Sequence, residues 1–442
     1  MKIQLSDHFT APKLLRYTLP SMVMMVFTSI YGVVDGFFVS NFVGKTSFAA
    51  VNFIMPVLMI LGSIGFMFGA GGSALVSKTM GENDLDKAQR LFSLFVYSTA
   101  VCGVIVAAVS FIFLRPLAAL LGAQGEMLDG CVAYGRILLV ALPCYMLQFE
   151  FQSFFITAGK PQLGLAVTVI CGVANMALDA LFVAVFAWGL AGAAAATVVS
   201  QVLGGVIPLV YFGRKNSSQL RLTKTQVDGR ALLKACTNGS SELMSNISTS
   251  VVSMLYNFQL MRYAGEDGIA AYGVLMYVNM IFLAIFIGYS TGIAPVVGYH
   301  YGAQNHPELQ GLLKKSCAVI GVFALLMFAL AELLAKPLAG IFVGYDQELM
   351  AMTQRAFMIY SFSFLFSGIA IYGSSFFTAL NDGLTSALIS FLRSLVFQVA
   401  AVLILPVFWG LDGIWLSVVA AELVAAVMTV LFILAKRQTY HY

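Results

Sequence analysis

Along the chain, mostly apolar stretches of twenty or more residues alternate with short polar segments. The hydrocarbon core of a bilayer is about 30 Å thick and a helix rises about 1.5 Å per residue, so about 20 apolar residues make one crossing. By that rule the pattern predicts twelve spans. The first six run over roughly 14–40, 48–77, 91–114, 132–158, 162–187 and 190–212; the second six over 232–262, 270–300, 315–335, 353–380, 384–408 and 412–435. Helix breakers sit where several of these should end, at Arg115-Pro116, Gly159-Lys160-Pro161, Lys336-Pro337 and Asn381-Asp382-Gly383. The runs are continuous rather than alternating, which excludes a β-barrel. No other segment is long enough for a soluble domain. The N-terminus opens polar, and the first run carries Asp35 and lacks a small-residue cleavage site, so it reads as a retained span and not a leader.

Composition agrees. Of 442 residues 60% are hydrophobic and 10% charged, with mean hydropathy +0.90, against about 25% charged in an average soluble domain. A water-facing surface of this size cannot be covered by so few charges. Where they lie sets the orientation. Seventeen of the 24 Lys and Arg fall in the N-terminus, the even-numbered loops and the C-terminus, six on the other side, and Arg393 lies inside a span. Positive charge is retained on the cytoplasmic side, so both termini are expected there, in the cytoplasmic (inner) membrane. The six cysteines are scattered singly and read as small apolar filler.

Sliding the sequence against itself by 221 residues, half its length, aligns the halves almost without gaps. Phe155-Ile156-Thr157-Ala158 falls on Phe376-Phe377-Thr378-Ala379, and Trp188-Gly189-Leu190-Ala191-Gly192 on Trp409-Gly410-Leu411-Asp412-Gly413; Gly71 and Gly81 fall on Gly292 and Gly302. The expected organisation is an N-terminal six-helix lobe over 1–212, a basic cytoplasmic linker over 213–231 and a C-terminal six-helix lobe over 232–442. Six spans is an even number, so the halves share one orientation, as in transporters whose parallel repeats rock about a central path.

A charge at the bilayer centre costs at least about 2.5–3.5 kcal/mol on insertion scales, so each one needs a reason. In the first half, polar residues pair at i,i+4 on single helix faces: Tyr31 with Asp35, Gln148 with Gln152, Asn175 with Asp179, Thr197 with Gln201. Asp35, Asp179 and Thr197 all fall within about 12 Å of the outer interface at helical rise. The repeat acts as a control. At +221, Asp35, Asn175, Asp179, Thr197 and Gln152 become Tyr256, Val396, Ala400, Val418 and Gly373, so the fold does not require the cluster. Two carboxylates in an apolar pocket with amide and hydroxyl oxygens suit a monovalent cation or a shared proton. Arg393 and Glu422, near mid-membrane on the last two spans, are expected to form a structural ion pair. Glu150 lies about 200° around its helix from Gln148 and should face elsewhere, while Glu242 is a candidate for the path between the halves. Pro20, Pro56, Pro143 and Pro295 are candidate bending points.

Gly69-Ala70-Gly71-Gly72 follows no strand and precedes no Gly-Lys-Ser/Thr, so nucleotide binding is not expected, nor is nucleic-acid binding. His8, His300, His306 and His441 lie in tails or loops without metal-ligand spacing. No nucleophile–base arrangement and no ATPase module is present, which points to a non-enzyme without a cofactor, driven by an ion gradient.

Asp35-Gly36-Phe37-Phe38-Val39 at the end of the first span, Phe68-Gly69-Ala70-Gly71-Gly72-Ser73-Ala74 in the second, and its echo Gly288-Tyr289-Ser290-Thr291-Gly292-Ile293-Ala294-Pro295 give the chain its likeness. With Asn175-x3-Asp179 and Thr197, the whole 6+6 pattern resembles the multidrug and toxic compound extrusion (MATE) family, nearest its MepA-like and DinF-like bacterial branch. The resemblance implies an all-α, V-shaped membrane fold of two six-helix bundles. It implies an N-lobe cation site at the positions of Asp35, Asn175, Asp179 and Thr197, and a bend of the first helix at Pro20. Gln152 stands where some relatives carry Asn. The substrate-binding candidates are Tyr31, Gln148, Gln152, Met176, Gln201 and Glu242.

The resulting expectation is a secondary multidrug efflux transporter that works as a monomer and exchanges mostly cationic organic compounds for Na⁺ or H⁺ by alternating access. The competing expectation is a lipid-linked oligosaccharide flippase of the same superfamily. Arg393, as the sole base inside the spans against several acids, favours cationic cargo.

Overall fold

The computed structural model describes residues 3–442, and among the described residues the regular structure is all helical. Six helices build the first half: α1 (Ala11–Val43), α2 (Lys45–Gly81), α3 (Leu85–Leu120), α4 (Gly125–Val140 and Leu142–Thr157), α5 (Pro161–Val185) and α6 (Gly189–Gly213). In the second half, Gly229–Gly302 runs helical for 74 residues and Gly383–Tyr440 for 58. At about 1.5 Å per residue the first would be about 110 Å long, more than three bilayer cores. Each is broken once by a glycine with positive φ, Gly265 (63°) and Gly410 (58°). Each is therefore two crossings, α7 (229–264) and α8 (266–302), then α11 (383–409) and α12 (411–440). Between them lie α9 (His306–Val343) and α10 (Gln347–Ala379), which makes twelve among the described residues.

The repeat is written into the backbone. Gly44 (φ 118°), which separates α1 from α2, lies 221 positions before Gly265, and Gly189 (φ 64°), which opens α6, lies 221 before Gly410. Only glycine enters such conformations without steric cost. Helix starts repeat as well. Asp84 caps α3 by accepting from the backbone N–H of Lys87, and Asn305, 221 further on, caps α9 by accepting from that of Glu308.

Nine of these twelve helices extend past both ends of the apolar runs that announce them. Pro116 and Pro337, expected at helix ends, lie inside α3 and α9, which continue to Leu120 and Val343. A proline removes one backbone bond, but in a bilayer no water is available to solvate an unwound segment, so the helix carries on. The reverse holds for α4, expected as one helix over 132–158. It is bent by 58° at Ala141, with Pro143 opening its second half.

Large buried side chains centre each lobe, Phe92, Phe154 and Phe212 in the first and Tyr289, Tyr372 and Trp415 in the second. The lobes meet along α1 and α2 against α7 and α8, on the face where the chain begins and ends (the terminal face). A Cβ placed on Gly81 would lie 2.0 Å from the Tyr299 carbonyl oxygen, and one on Gly302 would lie 2.0 Å from that of Lys78. Deeper in, Gly71 abuts Ala235, Gly239 abuts Met67 and Gly288 abuts Met22, while Gly292 lies against the Ser21 side chain and Thr18. Apart from that of Gly292, these contacts are backbone on backbone, and only glycine fits them. The N-terminal segment spans the same seam: Glu308 on α9 accepts from the Phe9 backbone N–H at 2.9 Å and lies 2.6 Å from His8 Nδ1. His300, expected in a loop, is instead buried near the end of α8, edge-on to Phe9.

Candidate cation site

Four N-lobe helices converge toward the face opposite the termini. Asp35 lies two turns before the end of α1, Asp179 six residues before the end of α5, and Thr197 eight residues into α6. At helical rise these depths agree to within about 5 Å, so the three side chains share one level. Both carboxylates sit beside a local change of helix. α1 passes into a π-turn over Val39–Val43 and α5 into one over Ala180–Val185, directly after Asp179. Such turns insert a residue into the α repeat and turn neighbouring side chains out of register.

The fold brings Asp35, Asn175, Asp179 and Thr197 to one region of the N-lobe. The carboxyl groups of Asp35 and Asp179 are adjacent, each the other's nearest charge. Asp179 is 0% exposed and Asn175, one turn earlier, 2%. The structure adds a residue that the sequence reading missed. Tyr134 on α4, 1% exposed, lies beside Asp35 and Asp179 with its hydroxyl near Thr197. At +221 it faces Arg355, so the same comparison of the halves that singles out Asp35 carried the signal for Tyr134.

The hydrogen-bond accounting is lopsided. Asp35 Oδ1, both Asp179 carboxylate oxygens, Asn175 Oδ1 and the Tyr134 hydroxyl are all buried without a partner. The Thr197 hydroxyl donates to the Ala193 carbonyl at 3.1 Å, which leaves its lone pairs free. A buried polar group without a partner costs about 1–3 kcal/mol, more when charged, so this concentration of acceptor oxygens favours a positively charged guest. Nearly all are acceptors. The chemistry fits a small cation or a proton held between two carboxylates, and rejects an anion. In the C-lobe the position matching Asp35 is Tyr256, whose hydroxyl donates to Gln398 Oε1 at 2.9 Å and whose ring stacks on Tyr272. That lobe is satisfied by a neutral pair.

Tyr31 lies one turn before Asp35, and its phenol approaches Gln148, linking the cluster to the neighbouring polar layer. Gln148 and Gln152 on α4 line a small cavity with Thr168, Gly204 and Pro208. Gly204 gives Gln148 its room, since a Cβ there would lie 2.5 Å from the amide carbon. Gln201 is also buried, whereas Met176 is only half-buried beside Asn175. Glu150 does face elsewhere, toward Thr99 on α3. Glu242 is not at this site: it lies at the seam between the lobes. Pro20 is inside α1 at the level of the seam, and Arg393 forms a two-pronged pair with Glu422 at 2.8 and 2.9 Å.

A family model described as MatE matches residues 20–181 and again 243–404. The chain belongs to the MatE family. The two matched stretches have equal length and fall one in each lobe, so the family unit is the repeat itself. Among similar proteins in this family, the multidrug export protein MepA of Staphylococcus saprophyticus is 24% identical over 429 residues, 96% of this chain and 94% of the relative. MepA of Staphylococcus aureus is 25% identical over 431 residues with the same coverage. A crystal structure of MATE in complex with MaL6 superposes with a TM-score of 0.93 at 22% identity over 98% of both chains. An outward-facing multidrug resistance MATE family transporter superposes at 0.92 and 22% identity, over 98% of this chain and 97% of that one. These structures share the two-lobed fold.

Proposed function

We propose that this membrane protein exports drugs, exchanging organic cations from the cytoplasm for inward Na⁺ or H⁺. The family and its relatives named as multidrug export proteins support the cargo class. The observation that carries the coupling is the set of partnerless oxygens around Asp35 and Asp179. Lobes closed at the terminal face leave any path between them to open on the other side, and the Lys/Arg bias supports a cytoplasmic terminal face in the inner membrane. Everything required is present in one chain, which supports a monomer as the working unit.

A coupling ion drives exchange only if it binds the alternating states with different affinity. Neutralising Asp35 and Asp179 removes the need for either carboxylate to reach water, and so favours a helix arrangement in which α1 and α5 pack closely. The outward gradient of cargo is then worked against by the inward gradient of the ion. The flippase alternative finds no support: Arg393, the base an anionic lipid carrier would need, is committed to Glu422.

The test is efflux of a fluorescent organic cation from proteoliposomes under imposed Na⁺ or pH gradients. Asp35→Asn and Asp179→Asn are expected to abolish gradient-driven flux while the protein remains folded. Wild-type flux in both variants would refute the assignment.

A further inference from the structure

A second acidic feature lies about 20 Å along α7 from its start, near the bilayer centre. Glu242 lines a cavity of about 30 Å³ built from both lobes, with Ser73 of α2 and Ser153 of α4 on one side and Thr291, Ser375 and Thr378 of α8 and α10 on the other. No other ionisable side chain lines it, and the Glu242 carboxylate makes no hydrogen bond or ion pair among the described residues. The repeat again shows that packing does not demand the charge, because the position 221 residues earlier is Ser21.

The hydroxyls fix the sign of what fits. Ser73 donates to the Ala70 carbonyl, Ser375 to that of Ser290 and Thr378 to that of Ser374, each at 3.1 Å. With those hydrogens spent on backbone oxygens, lone pairs of Ser73 and Ser375 remain for the cavity beside one carboxylate, while the Thr378 hydroxyl is also held by that of Ser386 at 2.6 Å. The space holds about two waters, or one small cation with a water. On the terminal side the cavity is sealed within a turn or so of Glu242, where Gly71 abuts Ala235 and Gly239 abuts Met67.

We propose that this cavity is a second cation site, which takes one positive charge as Na⁺ or as a proton and exists only while the lobes are closed at the terminal face. The site rests on the reading that the lobes alternate, but not on which ion drives export. Because both lobes supply its oxygens, opening the seam dismantles it, and its occupant biases the protein toward the closed arrangement.

The test uses the full chain in detergent with the first site removed by Asp35→Asn/Asp179→Asn. Thermal unfolding is followed as Na⁺ replaces choline, and separately as pH is lowered in choline. In one arm or the other Tm should rise by about 2 °C, and the rise should disappear on adding Glu242→Gln. Should Glu242→Gln fail to fold, Thr291→Val/Ser375→Ala serves in its place. Gly302→Val, which props the seam apart, should also lose the response. The arm that responds identifies the ion. No response in either arm, or a response that survives Glu242→Gln or Gly302→Val, overturns the proposal. Loss of gradient-driven export in the wild type would instead sink the coupling reading and leave this binding measurement standing.

Discussion

The glycine contacts at the terminal face set how readily the lobes can separate, and they can be perturbed one methyl group at a time. In Gly81→Ala the new Cβ would sit 2.0 Å from the Tyr299 carbonyl oxygen, whereas real Cβ atoms essentially never come within 3.0 Å of a heavy atom. The obstacle is helical backbone and cannot swing aside, so α2 and α8 must part by at least 1 Å. Overpacking of this kind costs about 1–3 kcal/mol. The clash lies between the lobes, so the cost falls on the closed arrangement and shifts the closed-to-open ratio by about 5–150-fold. Gly302→Ala meets the Lys78 carbonyl at the same distance and should behave alike. Gly321→Ala is the control. Nothing lies within 4 Å of its Cβ, and it should be neutral or stabilise by about 0.5–1 kcal/mol through helix propensity.

The assay is a distance between nitroxides at Lys87→Cys and Lys314→Cys, exposed positions in different lobes near the terminal face, in an otherwise cysteine-free chain. Gly81→Ala and Gly302→Ala should shift the distribution to longer distances and slow export, and Gly321→Ala should do neither. An unaltered distribution in both seam variants would refute the argument that these glycines hold the lobes together.

Three further outcomes are expected. Tyr134→Phe removes a hydroxyl whose polar neighbour is the Thr197 side chain, so Tm should change little while affinity for the coupling ion falls about 10-fold, the worth of one hydrogen bond to a charged centre; unchanged affinity in an ion-binding titration would exclude Tyr134 from the site. Glu422→Gln strands the Arg393 guanidinium and should cost about 3–5 kcal/mol, with Arg393→Met/Glu422→Leu recovering much of it and still exporting; thermal unfolding of both variants decides. Burial opposes ionisation of Asp382, yet the Thr385 hydroxyl and backbone N–H, Tyr440 and Lys436 together hold its carboxyl below the usual range. Its contribution is therefore complete above about pH 4 and is lost as pH falls through the lowered value, so Asp382→Asn should lower Tm at neutral pH and the gap should close on acidification.

Much of this was legible because the bilayer narrows the choices. Apolar run length gave the crossings, and the second half acted as an internal control for the first. Asp35, Asn175, Asp179 and Thr197 stood out as polar positions that the duplicate does without. Tyr134 escaped because an aromatic residue in a span reads as ordinary packing, and its hydroxyl gains meaning only from the groups across the lobe. The π-turns after α1 and after Asp179 leave no mark in apolar sequence, since they change the phase of the helix and not its composition. The bend in α4 and the continuation of α3 through Pro116 show the limit of proline as a signal. In lipid, whether it ends, bends or merely interrupts a helix depends on what neighbouring helices offer the freed backbone groups.

The glycines make the same point from the other side. Gly71, Gly81, Gly292 and Gly302 were visible as matches between the halves, but not as a seam. The structure shows why they had to match. The lobes meet as two copies of one fold, so a contact made by a residue on one is mirrored by its counterpart on the other, as across a two-fold interface. Gly81 against Tyr299 maps onto Gly302 against Lys78 under the 221-residue shift, and Gly71 against Gly239 maps onto Gly292 against Thr18. A bulky residue in either copy would spoil a contact that both share. The ion pocket lies within one lobe and touches no such contact, so the halves are free to differ there, and Asp35 and Tyr256 do. Symmetry is kept at the glycine pairs Gly71/Gly292 and Gly81/Gly302, while Gly239, Gly288 and Glu242 at the same seam are matched by Thr18, Met67 and Ser21; a difference between the halves points to chemistry where, as at Asp35, it also buries a charge in one lobe only.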